Sequence, residues 1–429
     1  MQNISNIIKL ISFTIVTVLL LFMIKINSSS AQVISNTSTD DNITFAVISD
    51  VHIKATKAEE DNKLTKALRI INSKAPSLDA MVIAGDLTDH GQSMELNRFK
   101  KIYENNCNSN SKKLFVMGNH DFGNGFTVKN AKNQFEKIMD IKTNTHEVIN
   151  GYHFIQVNSV ADNSNSNKKE WIKEQIEIAV KEDKDKPIFI TTHEHISGTV
   201  YGSDEWGYDD LYEVLKDYPQ IITFTGHSHY SIQDERDIHQ KDFTSIGTGS
   251  LSYMELEKGK IDGSVPKGAK DISTGLLVKV NNKNEVIIER LDFTNNLTIK
   301  EPWRVNLDKE KFEYTDERAN KRKAPKFKLF SKVDITNITS NKVTITFKQA
   351  THKDFVHSYR IEIEENGSQE VKQSFSAFSE FYKNIVPEQL TFNIDNLNCD
   401  TTYKIKVYAI ESFGNESKNP IEGEFTTAK

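Results

Sequence analysis

The chain has 429 residues, too many for one ordinary domain and enough for two or three. With 37% hydrophobic and 27% charged residues, and only 8 Pro and 19 Gly, it is core-forming, and the collagen-like and low-complexity classes are excluded. A net charge of −6 gives no electrostatic reason to expect a nucleic-acid duplex as partner, and two cysteines cannot build a disulfide framework.

In chain order, the first segment departs from this average. Lys9 precedes an apolar run over residues 10–24, which ends at Lys25 and is followed by Ser28, Ser29, Ser30 and Ala31. That basic, apolar, small-residue order reads as a secretory signal peptide over residues 1–31, cut before Gln32. The run is short for a membrane span, which needs about 20 residues, and an uncleaved anchor is the alternative. Either way the rest of the chain is expected to be secreted or held at the extracellular cell surface.

From Asn42 the chain alternates buried strands (43–49, 79–84, 113–117, 187–192, 221–225) with helical patterns (57–73, 94–103, 171–180, 211–215). This predicts an α/β sheet with helices on its faces. After Phe243 strand follows strand, at 275–280 and 285–292, the pattern of a second sheet. Residues 306–324 have few apolar positions and mixed charge, and read as a charged linker. From Pro325, five short segments alternate apolar and polar residues (342–348, 358–362, 390–394, 403–409, 423–427), which predicts an all-β sandwich over 325–429. Cys107 and Cys399 fall in different domains and are expected to be free thiols.

Five motifs stand at the ends of the first domain's strands. In order they are Asp50-Val51-His52, Gly85-Asp86-Leu87-Thr88-Asp89, Gly118-Asn119-His120-Asp121, His193, and Gly226-His227-Ser228-His229. Strand C-termini are where an open α/β sheet gathers its ligands. On extended chain, residues i and i+2 point the same way, so Asp50 with His52, and His227 with His229, can each aim two ligands into one cleft. Singly, each motif is a turn, a helix cap or a core histidine; together and in order they make a site. Imidazoles, carboxylates and one amide oxygen, without thiolate, suit Mn, Zn or Fe. Their number exceeds one ion's needs and fits a pair roughly 3.5–4 Å apart, which clamps a phosphoryl oxygen and makes hydroxide available near neutral pH.

This array resembles the calcineurin-like metallophosphoesterase superfamily, whose pattern is D-x-H, G-D-x-x-D, G-N-H-[DE], H and G-H-x-H, over roughly residues 43–300. The resemblance implies a β-sandwich flanked by helices for residues 42–305, with the strands after 243 in its second sheet. It implies that Asp50, His52, Asp86 and His229 hold one divalent ion and Asp86, Asn119, His193 and His227 the other, Asp86 bridging. It makes His120 the general acid or transition-state stabiliser, oriented by Asp89. Purple acid phosphatases differ: they place a Tyr three residues after the bridging Asp, where this chain has Asp89, and their first motif lacks the histidine that His52 supplies. The pattern here is more similar to the cyclic-nucleotide and other phosphodiesterase branches.

Residues 325–429 resemble a fibronectin type III domain. Leu397 lies six residues before Tyr403, which opens a strand bearing a tyrosine corner, and Ile345 or Phe347 stands near the place of the usual early Trp. The resemblance implies a spacer or a module contacting the cell surface or a polymer. With no ligand position beyond His229 and a polar linker, this domain is expected to fold independently and to be dispensable for chemistry.

The loop after His193 carries Tyr201, Trp206 and Tyr208 and should overhang the metals. Trp206 would then stack the leaving group, unless the loop is merely packed by its own aromatics. Two readings stand for Arg236, a phosphate clamp or a structural ion pair; His90 and His195 are expected to be supporting or solvent residues. The reading is a secreted dinuclear-metal phosphoesterase acting on a small phosphate ester, a diester favoured over a monoester. The alternative from another class is an extracellular binding protein with a vestigial metal fold, against which the intact ligand set and His120 argue.

Overall fold

The computed structural model describes residues 41–158, 168–208, 211–366 and 371–429; the signal-like segment 1–31 lies outside them. Among the described residues no helix is long and apolar enough to cross a membrane.

The first domain is built on two six-stranded sheets. In one, Asp41–Ile48, Ala80–Ala84 and Lys112–Val116 run parallel, and Thr274–Asn281, Val286–Asp292 and Leu297–Val305 extend it antiparallel from the free edge of Asp41–Ile48. In the other, Tyr152–Gln156, Ile188–Thr191, Ile221–Thr225 and Thr244–Gly247 are parallel, with antiparallel edges His146–Ile149 and Ile238–Gln240. The sheets pack face to face. Phe45 from the first meets Phe154, Phe189 and Phe224 from the second edge-on, with centroids 5.1, 4.8 and 5.8 Å apart. The outer face of the first sheet is covered by Glu59–Lys74, Ser93–Asn106 and Val128–Met139, and that of the second by Lys168–Glu182 and Tyr212–Leu215. Strands such as Ala80–Ala84 and Ile221–Thr225 are buried at every position, which is why they read as unbroken apolar runs rather than alternating ones.

The α/β sandwich flanked by helices is thus as expected, but the placement of the late strands is not. Of those after residue 243, only Thr244–Gly247 enters the second sheet; the other three complete the first. Asp41–Ile48 is apolar on both faces, and its edge opposite Ala80–Ala84 needs a strand to satisfy its backbone.

The second domain pairs a three-stranded sheet (Asp334–Thr336, Val343–Lys348, Gln389–Ile394) with a four-stranded one (Val371–Phe378, Ser358–Glu365, Thr402–Ile410, Ile421–Thr426). Along Thr402–Ile410, Tyr403, Ile405, Val407 and Ala409 all point into the core. The Tyr403 hydroxyl accepts the Asn398 N–H at 2.9 Å, closing the tyrosine corner over buried Leu397. Ile345 and Phe347 are both fully buried there.

Residues 306–324 do not hold the domains apart. Leu307 and Tyr314 pack against the inter-sheet core, and Arg318 donates to the carbonyls of Glu235 (2.9 Å) and Ile238 (2.8 Å). The fork of an arginine can satisfy several main-chain acceptors at once, so a run that looks solvated in sequence can be docked. Beyond it the two domains share an apolar cluster, in which Tyr201, Tyr230, Met254 and Leu256 meet Phe378, Phe381 and Tyr382. Gln233 also donates to the Tyr382 carbonyl at 2.9 Å, and Asp262 accepts the Phe378 N–H at 2.8 Å. Cys107 and Cys399 are free.

Candidate metal centre

All five motifs converge. Asp50, His52 and His229 form one group of potential ligands, and Asp86, His193 and His227 a second, the ligand atoms within each lying within 4.8 Å of one another. Asn119 joins the second through Oδ1, 3.0 Å from His193 Nε2. Asp86 stands between them: its Oδ2 is 3.2 Å from His193 Nε2 and 3.7 Å from His52 Nε2.

The convergence does not come from extended chain. Strand pairing stops at Ile48 and Thr225, and Asp50, His52, Asp86, His227 and His229 have φ of 53°, 52°, 52°, 72° and 59°. A left-handed conformation at a residue with a Cβ costs about 1–2 kcal/mol, and such strain concentrates at functional sites. The i and i+2 pairs point inward because the chain coils left-handed after each strand. Glycines open the room. Gly85 has φ +89°, while a Cβ on Gly118 or Gly226 would collide with the carboxylate of Asp86 or Asp50.

Main-chain carbonyls set the histidine tautomers. His193 Nδ1 lies 2.8 Å from the Ala84 oxygen and His229 Nδ1 lies 3.0 Å from the Tyr253 oxygen. A carbonyl can only accept, so both Nδ1 atoms carry a proton and both Nε2 atoms face inward, the orientation found at metal-bound histidines. His52 Nδ1 faces the Asp89 carboxylate at 3.5 Å, which leaves Nε2 unprotonated. His52 Nε2 and His229 Nε2 then confront each other at 3.2 Å, beside Asp50 Oδ1 at 4.0 and 3.2 Å. Two lone pairs at that distance repel unless a proton on His229, which Asp50 favours, or a metal ion lies between them. The donor set fits metal ions, on the second side with His227 presenting Nδ1, 3.2 Å from His193 Nε2.

Burial by itself would push the carboxyls of Asp50 and Asp86 up. The imidazoles around them, chiefly His229 for Asp50 and His193 for Asp86, hold both below the usual carboxylate range. Against burial, Asp86 raises His193 well above its usual value. Burial next to His193 pushes His227 down to about 4. His195 is pushed down to about 3 by burial and then by His227; its neutral ring bridges the hydroxyls of Thr225 and Ser228 at 2.7 Å each.

His120 donates its backbone N–H to Asp86 Oδ1 at 2.9 Å, and its Nδ1 lies 2.9 Å from the Asp89 carbonyl oxygen. Asp89 thus meets the His120 ring through its main chain. Its carboxylate faces His52 (3.5 Å) and exposed His90 (3.2 Å). A role for Asp121 was not foreseen. Fully buried, its carboxylate accepts the N–H groups of Leu87 (3.1 Å), Thr88 (3.0 Å) and Gly118 (3.0 Å), pinning the second and third motif loops together. Burial and the nearby Asp86 push it up to about 7.

Of the expected substrate residues, Trp206 stands beside the site, its ring 5.4 Å from and perpendicular to His227. Tyr201 turns into the domain interface and Tyr208 is half exposed. Arg236 is not available as a phosphate clamp: its guanidinium holds Asp234 at 3.0 and 2.7 Å and stacks on Tyr201 at 3.8 Å. Tyr253, which no motif signals, lies against the other side, 4.4 Å from the His229 ring and 6.3 Å from that of His52.

Residues 43–231 match the family model of the calcineurin-like phosphoesterases, and residues 324–424 that of the fibronectin type III domain. The first domain is thus similar to the calcineurin-like phosphoesterases, and the second to the fibronectin type III domain. No curated protein matches it. Among solved structures, it is similar to the purple acid phosphatase PPD1 from yellow lupin seeds, at 11% identity and a TM-score of 0.46, over 64% of this chain and 54% of that one. The chain thus spans about half the length of that enzyme. A β-sandwich protein from a computer-based redesign is 20% identical over 25% of this chain and 92% of that one, with a TM-score of 0.19. The rat CD45 extracellular region, domains d3–d4, is 17% identical over 25% of this chain and 51% of that one, also with a TM-score of 0.19.

Proposed function

We propose that the protein is an exported phosphoesterase that uses two divalent cations, Mn, Zn or Fe, to hydrolyse a small phosphate ester, a diester in preference to a monoester. The observation that carries this reading is Asp86, one of whose carboxylate oxygens stands within reach of both imidazole groups. When bound, the two cations supply Lewis acidity at the phosphoryl oxygens and lower the pKa of water. Asp50, His52, Asp86 and His229 would hold one; Asp86, Asn119, His193 and His227 the other.

The remaining chemistry is proton delivery and positioning. The Asp89 carbonyl fixes the His120 proton on Nδ1, so a second proton on Nε2 is the one to give to the departing oxygen. The bond from the His120 N–H to Asp86 fixes the distance between that ring and the metal ligands. Trp206 and Tyr253 flank opposite halves of the ligand set and would frame an apolar or aromatic leaving group. Diester preference rests on the Asp50-Val51-His52 and Gly118-Asn119-His120-Asp121 motifs, and export on residues 1–31.

The test is hydrolysis of bis(nitrophenyl) phosphate against nitrophenyl phosphate after loading with Mn. Faster diester cleavage supports the reading, faster monoester cleavage overturns the preference, and turnover of neither overturns the enzyme.

A further inference from the structure

Residues 321–332 read Lys-Arg-Lys-Ala-Pro-Lys-Phe-Lys-Leu-Phe-Ser-Lys, a basic stretch without one acid in a chain of net charge −6. Arg322 is taken up by Asp354 at 3.0 Å. Lys323, Lys326 and Lys328 are exposed and meet no carboxylate among the described residues, and Lys332 only approaches Asp334 at 3.7 Å. The second domain's core takes Phe327 from this stretch and Val333 just after it. Leu329 and Phe330 are left 83% and 90% exposed.

Their position is built. On one side the Lys326 N–H and carbonyl pair with Thr351 at 3.0 and 2.8 Å; on the other the Val333 N–H reaches the Glu422 carbonyl at 3.2 Å. Between these anchors a turn closes from the Ser331 N–H to the Lys328 carbonyl at 3.1 Å, with Phe330 at φ 65°. A Leu-Phe pair is thereby held exposed at an anchored turn, with Lys326, Lys328 and Lys332 beside it in the chain.

We propose that this turn docks on the surface of an anionic lipid bilayer. Charge complementarity selects the partner. An apolar pair with adjacent ammonium groups fits a surface with phosphates outside and hydrocarbon just beneath, and lysine stems can lie along the apolar zone while their heads stay among the phosphates. Two inserted side chains make the attachment weak and reversible, so it depends on the lysines and on salt. The inference stands apart from the phosphoesterase reading, because none of these residues belongs to the metal centre.

The test uses the full chain with Phe330→Trp, because residues 10–24 could bind vesicles by themselves and mask a simple binding assay. The emission that the introduced indole adds over the unsubstituted protein reports the turn alone. On phosphatidylglycerol vesicles with brominated acyl chains it is expected to shift blue and be quenched; on phosphatidylcholine vesicles, or at high salt, it is not. Adding Lys326→Glu and Lys328→Glu should weaken the response on the order of tenfold or more. Three results overturn the proposal: no quenching on the anionic vesicles, equal quenching on both lipids, or a blue shift that grows with protein concentration without lipid. The last would assign the turn to a second copy of the chain.

Discussion

The Nδ1 of His120 lies 2.9 Å from the main-chain oxygen of Asp89, while the Asp89 carboxylate faces His52 Nδ1 at 3.5 Å. One residue thus serves two histidines by different groups, and substitution can separate the functions.

Asp89→Asn keeps the carbonyl, so leaving-group selectivity should not change. It replaces a charged acceptor beside a metal-ligand histidine by a neutral one, and lost support of this kind costs about 10–100-fold in metal affinity or activity. Titrating metal into the depleted variant, alongside kcat at saturating metal, separates the two. A changed ratio of alkyl to aryl ester turnover would return the carboxylate to the acid's service.

His120→Ala removes the proposed proton donor and leaves the seven proposed metal ligands in place. With an alkyl leaving group it should cost on the order of 10²–10⁴-fold in kcat/KM, and far less with nitrophenolate, which departs as a stable anion. Equal losses on both esters, with metal content unchanged, would leave His120 only a charge-stabilising or substrate-binding role.

Gly118→Ala should empty the site without touching a ligand. The added Cβ would meet the Asp86 carboxylate and backbone in a closely packed loop, where neither can withdraw without breaking the bond to the His120 N–H. Metal analysis of the folded variant is expected to show large loss, and full occupancy would mean that the loop yields.

The interface gives a stability prediction. Phe381 is 3% exposed, between the domains and stacked on Phe355 at 4.5 Å. Phe381→Ala should destabilise by about 3–5 kcal/mol, the usual cost of truncating a buried Phe. A chain ending near Asp308 would also expose Tyr201, Tyr230, Met254 and Leu256, and should be less stable and more prone to associate. Thermal unfolding of both variants checks this; an unchanged Tm for Phe381→Ala would mean that the domains are energetically independent.

The candidate metal ligands were legible because each motif is a local word at a strand end, where chemistry and chain direction coincide. Asp50, His52, Asp86, Asn119, His193, His227 and His229 needed no long-range knowledge beyond that. Their left-handed backbone was not legible, since Asp and His adopt it only when tertiary contacts enforce it. The helix Val128–Met139 and the strand Tyr152–Gln156 went unread. In the strand, buried His153 and Gln156 interrupt the apolar signal that marks its neighbours. Arg236 and Arg318 show the same limit: sequence gives a charge, and only the fold says whether a carboxylate, a carbonyl or water receives it. Tyr253 enters the site through its carbonyl and its ring, from a segment with no motif at all.

The most direct test of the two-metal account is metal content measured beside activity on one sample, for the wild type and for Asp86→Ala. With one carboxylate oxygen serving both groups, the wild type should hold two ions per chain when fully active, and Asp86→Ala should lose metal and turnover together. A fully active wild type with at most one ion per chain, or an Asp86→Ala variant that keeps both ions and its turnover, would contradict it.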